Sequence, residues 1–144
     1  MFNSILVVCA GNICRSPIGE IMLAKGLPAK QVSSAGIIAK DGLPADPSSV
    51  QLCEQAGLEL ASHKSRRLTA EICAENDLIL VMEPQHVRDV AERFPQASGK
   101  TMLMGKWIGV DEIPDPHRQQ MEAFEHAYKL LDQACATWVK KLGG

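Results

Sequence analysis

The chain has 144 residues, 46% hydrophobic and 22% charged, with a formal net charge of -2. That size predicts one compact domain over residues 1–144. The composition excludes a disordered or fibrous chain, and the charge provides no general basic field for nucleic acid. No apolar stretch approaches membrane-spanning length, so no membrane insertion is expected. Met1-Phe2-Asn3-Ser4 carries no basic residue and the apolar run behind it, Ile5 to Val8, is short, so no signal peptide is expected. Five cysteines, Cys9, Cys14, Cys53, Cys73 and Cys135, are odd in number and irregular in spacing. They do not read as a secreted disulfide framework and predict a reducing, cytoplasmic setting.

Taken in chain order, Ile5 to Val8 reads as a doubly buried parallel strand. Ser16-Pro17 predicts a helix start, with Ser16 as the cap, running to about Gly26. Val32 to Ala35 is a weaker strand, and Gly36 to Ala45 reads as a loop. Asp46-Pro47 opens a helix ending near Gly57, and Thr69 caps a short one ending near Asn76. Lys64-Ser65-Arg66-Arg67, between them, is a local basic run that reads as a solvated turn. Leu78 to Met82 is the next buried strand, followed by a helix from Pro84 to Phe94. Thr101 to Met104 is a short strand, and residues 107–118 read as a loop. The last helix begins near Gln119, with Phe124, Ala127, Leu131, Ala134, Trp138 and Leu142 on one apolar stripe. This alternation predicts a four-stranded parallel sheet with helices on both faces, a flavodoxin-like three-layer sandwich. Ligands of such folds bind at the carboxyl ends of the strands.

The turn after the first strand is Cys9-Ala10-Gly11-Asn12-Ile13-Cys14-Arg15-Ser16-Pro17. A cysteine ends the strand, an arginine follows six positions later, and a helix begins at once. The loop's N–H groups and the helix N-terminus form an anion nest. Gly11 is expected to supply unusual backbone angles, and Arg15 a planar fork for two phosphate oxygens. Converging on Cys9, these positive ends favour its thiolate and make it a nucleophile. The phosphate-binding set is therefore Ala10, Gly11, Asn12, Ile13, Cys14, Arg15 and Ser16. A phosphate ester also needs an acid for its leaving oxygen. Asp115, in Ile113-Pro114-Asp115-Pro116-His117, is the candidate, with a plain Asp-Pro turn as the equally weighted alternative. His63, His86 and His126 read as surface or structural groups, and Trp107, Tyr128 and Trp138 as packing groups. Cys53, Cys73 and Cys135 fall within helices as inert fillers.

With these residues in place, the sequence resembles the low-molecular-weight protein tyrosine phosphatases over nearly its whole length. It is especially similar to the bacterial members that act beside capsule and exopolysaccharide tyrosine kinases. The resemblance rests on residues 5–9 and 11–17, Ser34-Ala35-Gly36, Ala45-Asp46-Pro47, His63 to Arg66, Asp77 to Met82 and Ile113 to Pro116. It implies the phosphotyrosine protein phosphatase I-like fold and a two-step hydrolysis without cofactor or metal. In that scheme Cys9 forms a phosphocysteine, Arg15 and the loop hold the equatorial oxygens, and Asp115 serves as acid and then base. Ser16 hydrogen-bonds the Cys9 sulfur, Asn12 braces the loop, and Cys14 can pair with Cys9 under oxidation. The implied partner is a phosphotyrosine protein, specifically a tyrosine autokinase of polysaccharide export, and the expected state is a monomer. Ile13, Ile38, Lys40 and His117 are expected to line the cleft. The family usually has an aromatic where this chain has His117. Two other readings compete. An arsenate reductase of the same fold needs relay cysteines after the third strand, and none lies between Cys73 and Cys135. A non-catalytic phosphate-binding module needs neither nucleophile nor acid.

Overall fold

The computed structural model describes residues 2–143. Strand β1 spans Ser4–Cys9, β2 Gln31–Gly36, β3 Leu78–Val81 and β4 Thr101–Leu103. Helix α1 spans Arg15–Gly26, α2 Pro47–Gln55, α3 Ala70–Ala74, α4 Pro84–Arg93 and α5 Met121–Lys141. The strands form one parallel sheet in the order β2-β1-β3-β4, with Val8 opposite both Ala35 and Val81.

Both central strands are buried on both faces, which explains their uninterrupted apolar runs. Side chains alternate along a strand, so one sequence feeds two cores. Ile5, Val7, Leu78 and Leu80 pack with Ile18 and Leu23 of α1, Cys53 of α2, and Leu131 and Trp138 of α5. Leu6, Val8, Ile79 and Val81 pack against Cys73 of α3 and Val90 of α4. The result is the expected three-layer sandwich. Cys53, Cys73 and Cys135 are buried free thiols inside helices. Trp107 is an exception to the packing assignment. It is 42% exposed, stacked edge-on to Trp138 and covered by the ammonium groups of Lys106 and Lys141.

The chain runs from β1 outward to β2, then returns past β1 to build β3 and β4. The direction of winding therefore reverses between β1 and β3, and their carboxyl ends open a crevice. The loop 10–14 leaves β1 there, and Glu83 follows β3 at the same edge.

Two helix starts follow local rules. Asp46 Oδ1 accepts the Ser48 N–H at 2.9 Å, and Thr69 Oγ1 accepts the Ile72 N–H at 3.1 Å. The first helix departs from them. It begins at Arg15, one residue before the expected cap, and its N-cap Cys14 makes no side-chain capping bond. Ser16 lies inside the helix because its hydroxyl is engaged below the loop. α5 begins two residues later than expected, after Arg118 turns the chain with φ +62°. A 3-10 turn at Pro95–Lys100 and another at Lys106–Ile108 occupy stretches the sequence pattern leaves unassigned or looped.

Candidate active site

A cleft of about 290 Å³ opens over the carboxyl end of β1, lined by Cys9, Gly11, Ile13, Arg15, Asp115 and His117 among others. Ala10, Cys14, Ile38 and Lys40 also line it. The expected nucleophile, phosphate fork, acid and cleft residues thus share one crevice. Asn12 and Ser16 do not line it. Both are fully buried beneath the loop.

Asn12 is the hub of that buried layer. Its Nδ2 donates to Ser16 Oγ at 2.7 Å and to Ser34 Oγ at 2.9 Å. Its Oδ1 accepts the Arg66 N–H at 2.9 Å, and His63 Nε2 donates to its carbonyl at 2.7 Å. Ser34 Oγ donates onward to Glu20 Oε1. An amide nitrogen only donates, so the Ser16 oxygen must accept and its own proton is left for Cys9 Sγ, 3.0 Å away. The Asn12 N–H reaches the same sulfur at 3.3 Å. The network is therefore ordered around the Cys9 sulfur, which meets both the Asn12 N–H and the Ser16 hydroxyl.

These bonds also relocate the strained residue. Gly11 is not in the left-handed region; Asn12 is, with φ +58°. Asparagine tolerates that conformation better than most residues, and here its side-chain bonds hold it there. The glycine the site cannot spare is Gly36. A Cβ on it would stand 2.6 Å from the Ala10 carbonyl oxygen and 2.8 Å from the Asn12 nitrogen. β2 thus presses its end directly against the loop. The Lys64 to Arg67 segment is likewise more than a solvated turn. Ser65 is buried and donates to the Lys40 carbonyl, Arg66 Nε donates to the Ser34 carbonyl at 2.8 Å, and Gly36 pairs with Arg67. Lys64 and Arg67 remain exposed in the expected way. A polar groove lined by Glu20, Ser34, His63 and Arg66 lies behind the loop, and Cys9 does not face it.

Arg15 is only 2% exposed. One amino group, Nη1, donates to Glu83 Oε2 and to the Ile113 carbonyl, each at 2.8 Å. Nη2 lies 3.7 Å from Asp115 Oδ2, and Nε is buried with no partner among the described residues. One side of the fork is therefore anchored by protein, and the other retains donors. The uncapped N–H groups of α1 add to that unspent capacity. Glu83 is a site residue that pattern reading misses. Its only sequence signal is its position immediately after the second buried strand. His86, expected to be structural, is buried with its Nε2 3.7 Å from the same Glu83 oxygen. Burial and then the Arg15 charge push its pKa down, so it is held neutral.

Asp115 is 46% exposed and accepts the His117 N–H at 3.0 Å. Cys14 is the other thiol of the cleft, with Asp46 Oδ2 4.0 Å and His117 Nδ1 3.9 Å from its sulfur. Burial, and then the Asp46 carboxylate, push that thiol far up, so it is protonated and a poor nucleophile.

A site of this design, on this sheet, defines a cysteine-dependent phosphomonoester hydrolase. The family model for low molecular weight phosphotyrosine protein phosphatase matches residues 4–144. The chain belongs to that family, and it is a protein-tyrosine phosphatase by class. It is 49% identical over 141 residues to the low molecular weight protein-tyrosine-phosphatase Etp of Escherichia coli K12, covering 98% of this chain and 95% of that protein. The crystal structure of the tyrosine phosphatase Wzb from E. coli K30 in complex with sulphate superposes with a TM-score of 0.97 at 48% identity, covering 99% of this chain and 100% of that one. Vibrio vulnificus Wzb in complex with benzylphosphonate gives 0.95 at 50% identity, covering 98% and 99%. Among the described residues no helix is long and apolar enough to cross a membrane.

Proposed function

We propose that this protein hydrolyses phosphotyrosine in two steps on Cys9. The dianionic phosphate seats on the loop N–H groups and the free donors of Arg15. The Cys9 thiolate attacks phosphorus in line with the phenolic oxygen, and Asp115 protonates that oxygen as it leaves. Water, deprotonated by Asp115, then attacks the phosphocysteine, and the Cys9 thiolate departs toward the Ser16 hydroxyl. The observation that carries this reading is the convergence of Cys9, Arg15 and Asp115 on one cleft. Asp115 lies far along the chain from the Cys9–Arg15 loop, and a site for binding alone needs neither a nucleophile nor an acid beside its anion fork.

Ile13, Ile38, Lys40 and His117 form the rim that receives the tyrosyl ring, and Ala10, Gly11 and Cys14 complete the phosphate loop. Under oxidation Cys14 pairs with Cys9 and shields it from further damage. The benzylphosphonate and sulphate held by the two Wzb structures resemble an aryl phosphate ester, with a methylene in place of the bridging oxygen, and a free phosphate. The resemblance to the bacterial members of the family is the ground for assigning a tyrosine autokinase of polysaccharide export as the protein substrate. The proposed setting is the cytoplasm, and the working unit a monomer.

The test is hydrolysis of p-nitrophenyl phosphate under reducing conditions. Cys9→Ser is expected to abolish turnover. Asp115→Asn is expected to lower kcat by roughly 10²- to 10⁴-fold, the range for one proton-transferring group. Full activity in Cys9→Ser would overturn the assignment and shift attention to Cys14.

A further inference from the structure

Three metal-ligand atoms meet at the rim of the cleft, and none of them takes part in the phosphoryl transfer itself. Cys14 Sγ, an Asp46 carboxylate oxygen and a His117 ring nitrogen all lie within 4.8 Å of one another. We propose that Cys14, Asp46 and His117 form a site for a borderline-soft divalent cation, zinc above all, whose occupation inhibits the phosphatase.

The donor set is the first argument. Thiolate, imidazole and carboxylate together suit zinc, which takes tetrahedral sites of mixed sulfur, nitrogen and oxygen ligands. Such a site with three protein ligands leaves the fourth position for water or an incoming anion. The distances agree. Bond lengths of about 2.0–2.3 Å at tetrahedral angles place ligand atoms about 3.5 Å apart. The sulfur lies 4.0 Å from Asp46 and 3.9 Å from His117, a few tenths of an ångström beyond that spacing, and the Asp46–His117 pair lies within 4.8 Å.

Two of the ligands are already held. Asp46 Oδ1 is committed to the Ser48 N–H as the α2 cap, and Oδ2 is the oxygen nearest Cys14. The Asp46 N–H donates to the Ile13 carbonyl at 2.8 Å, and Ser49 Oγ donates to the Cys14 carbonyl at 3.1 Å. The start of α2 is therefore tied to the phosphate loop, and the sulfur–carboxylate pair is preorganised. His117 sits on the exposed 114–120 loop, which can supply the remaining movement.

Cys14 is a buried, protonated thiol, and the cation must displace its proton to solvent. The neighbouring Asp46, Asp115 and Cys9 charges that oppose ionisation of Cys14 attract the cation, while Arg15 opposes it. Inhibition follows from position. Cys14 and His117 both line the cleft, and the His117 N–H is bonded to Asp115. A cation held there obstructs the rim and fixes the loop that carries the acid. This consequence rests on the proposed role of the cleft, whereas the binding itself does not.

The test separates the two. Cobalt(II) is titrated into Cys9→Ser protein with a non-thiol reductant, and thiolate-to-cobalt charge-transfer absorption is followed. Cys9→Ser is expected to show the band. Adding Cys14→Ser should remove it, and adding His117→Ala or Asp46→Asn should weaken apparent affinity by about tenfold or more. Asparagine preserves the α2 cap, so Asp46→Asn tests ligation rather than folding. In otherwise wild-type protein, zinc should inhibit turnover reversibly with a chelator, and His117→Ala should need about tenfold more zinc for half inhibition. No band in Cys9→Ser, a band unchanged by loss of Cys14 or His117, or equal zinc inhibition of His117→Ala would overturn the site. The last result would place the metal on the Cys9 thiolate alone.

Discussion

At the scale of single residues, the site depends on which backbone positions admit a side chain. Gly11 and Gly36 look equivalent in the sequence, yet their surroundings differ. A Cβ on Gly11 would meet only Ile13 Cγ1, at an ordinary 3.8 Å. A Cβ on Gly36 would press on the Ala10 oxygen, the Ala39 Cβ and the Asn12 nitrogen, two of which are backbone atoms that cannot move aside. Gly36→Ala is therefore expected to cost about 1–3 kcal/mol and to displace the phosphate loop, lowering kcat. Gly11→Ala should change stability by about 0.5 kcal/mol or less, while its new methyl group stands in the cleft and raises KM. Urea denaturation and steady-state kinetics on the two variants check both halves. Equal stability of the two proteins would contradict the close packing at Gly36.

At the scale of elements, the sheet edge opposite the active site is fastened electrostatically. Asp77, just before β3, accepts the Asn3 N–H at 2.8 Å and the Ser4 N–H at 3.2 Å, joining the starts of β1 and β3. Those two N–H groups, the Asn3 one first, hold its carboxyl below its ordinary value of 3.8. A depressed carboxyl favours folding when ionised, so its contribution is fully present above the unfolded value. It is lost as pH falls through the lower folded value. Wild-type protein should therefore lose more stability than Asp77→Asn as pH drops from about 5 to 3, the range where carboxyls titrate. Denaturation midpoints at several pH values measure the difference, and parallel slopes would refute the tie. Element starts at Asp46 and Thr69 were legible because a cap is a local event. The start of α1 was not, since Ser16 is drawn into the buried network by partners the helix pattern cannot reveal.

At the scale of the whole molecule, α5 contributes to the core from outside the cleft. The phosphate loop rests on β1 and β2, while α5 closes the core on the far side of α1. Leu131 is fully buried there and takes no part in the cleft. Leu131→Ala should cost about 2–5 kcal/mol and lower Tm by roughly 5–15 °C for a chain of this size. Its kcat at 25 °C should stay near wild type while the protein remains folded. Thermal unfolding and turnover together decide this, and an unchanged Tm would mean that α5 is not integral to the fold.

The sequence by itself determined what depends on near neighbours. Doubly buried strands read as apolar runs, helix starts as caps, and the nucleophile and its arginine as a six-residue spacing at a strand–helix turn. A nearly whole-length resemblance then placed Asp115 beside them. Only the tertiary structure decided that Asn12 rather than Gly11 carries the left-handed turn and that Gly36 is the indispensable glycine. It also revealed that Glu83, Ser34 and Arg66 hold the site's parts, and that Cys14, Asp46 and His117 gather at its rim. Each of those is a contact between segments distant along the chain. Such contacts have no sequence period and exist only once the sheet order has brought the strand ends together.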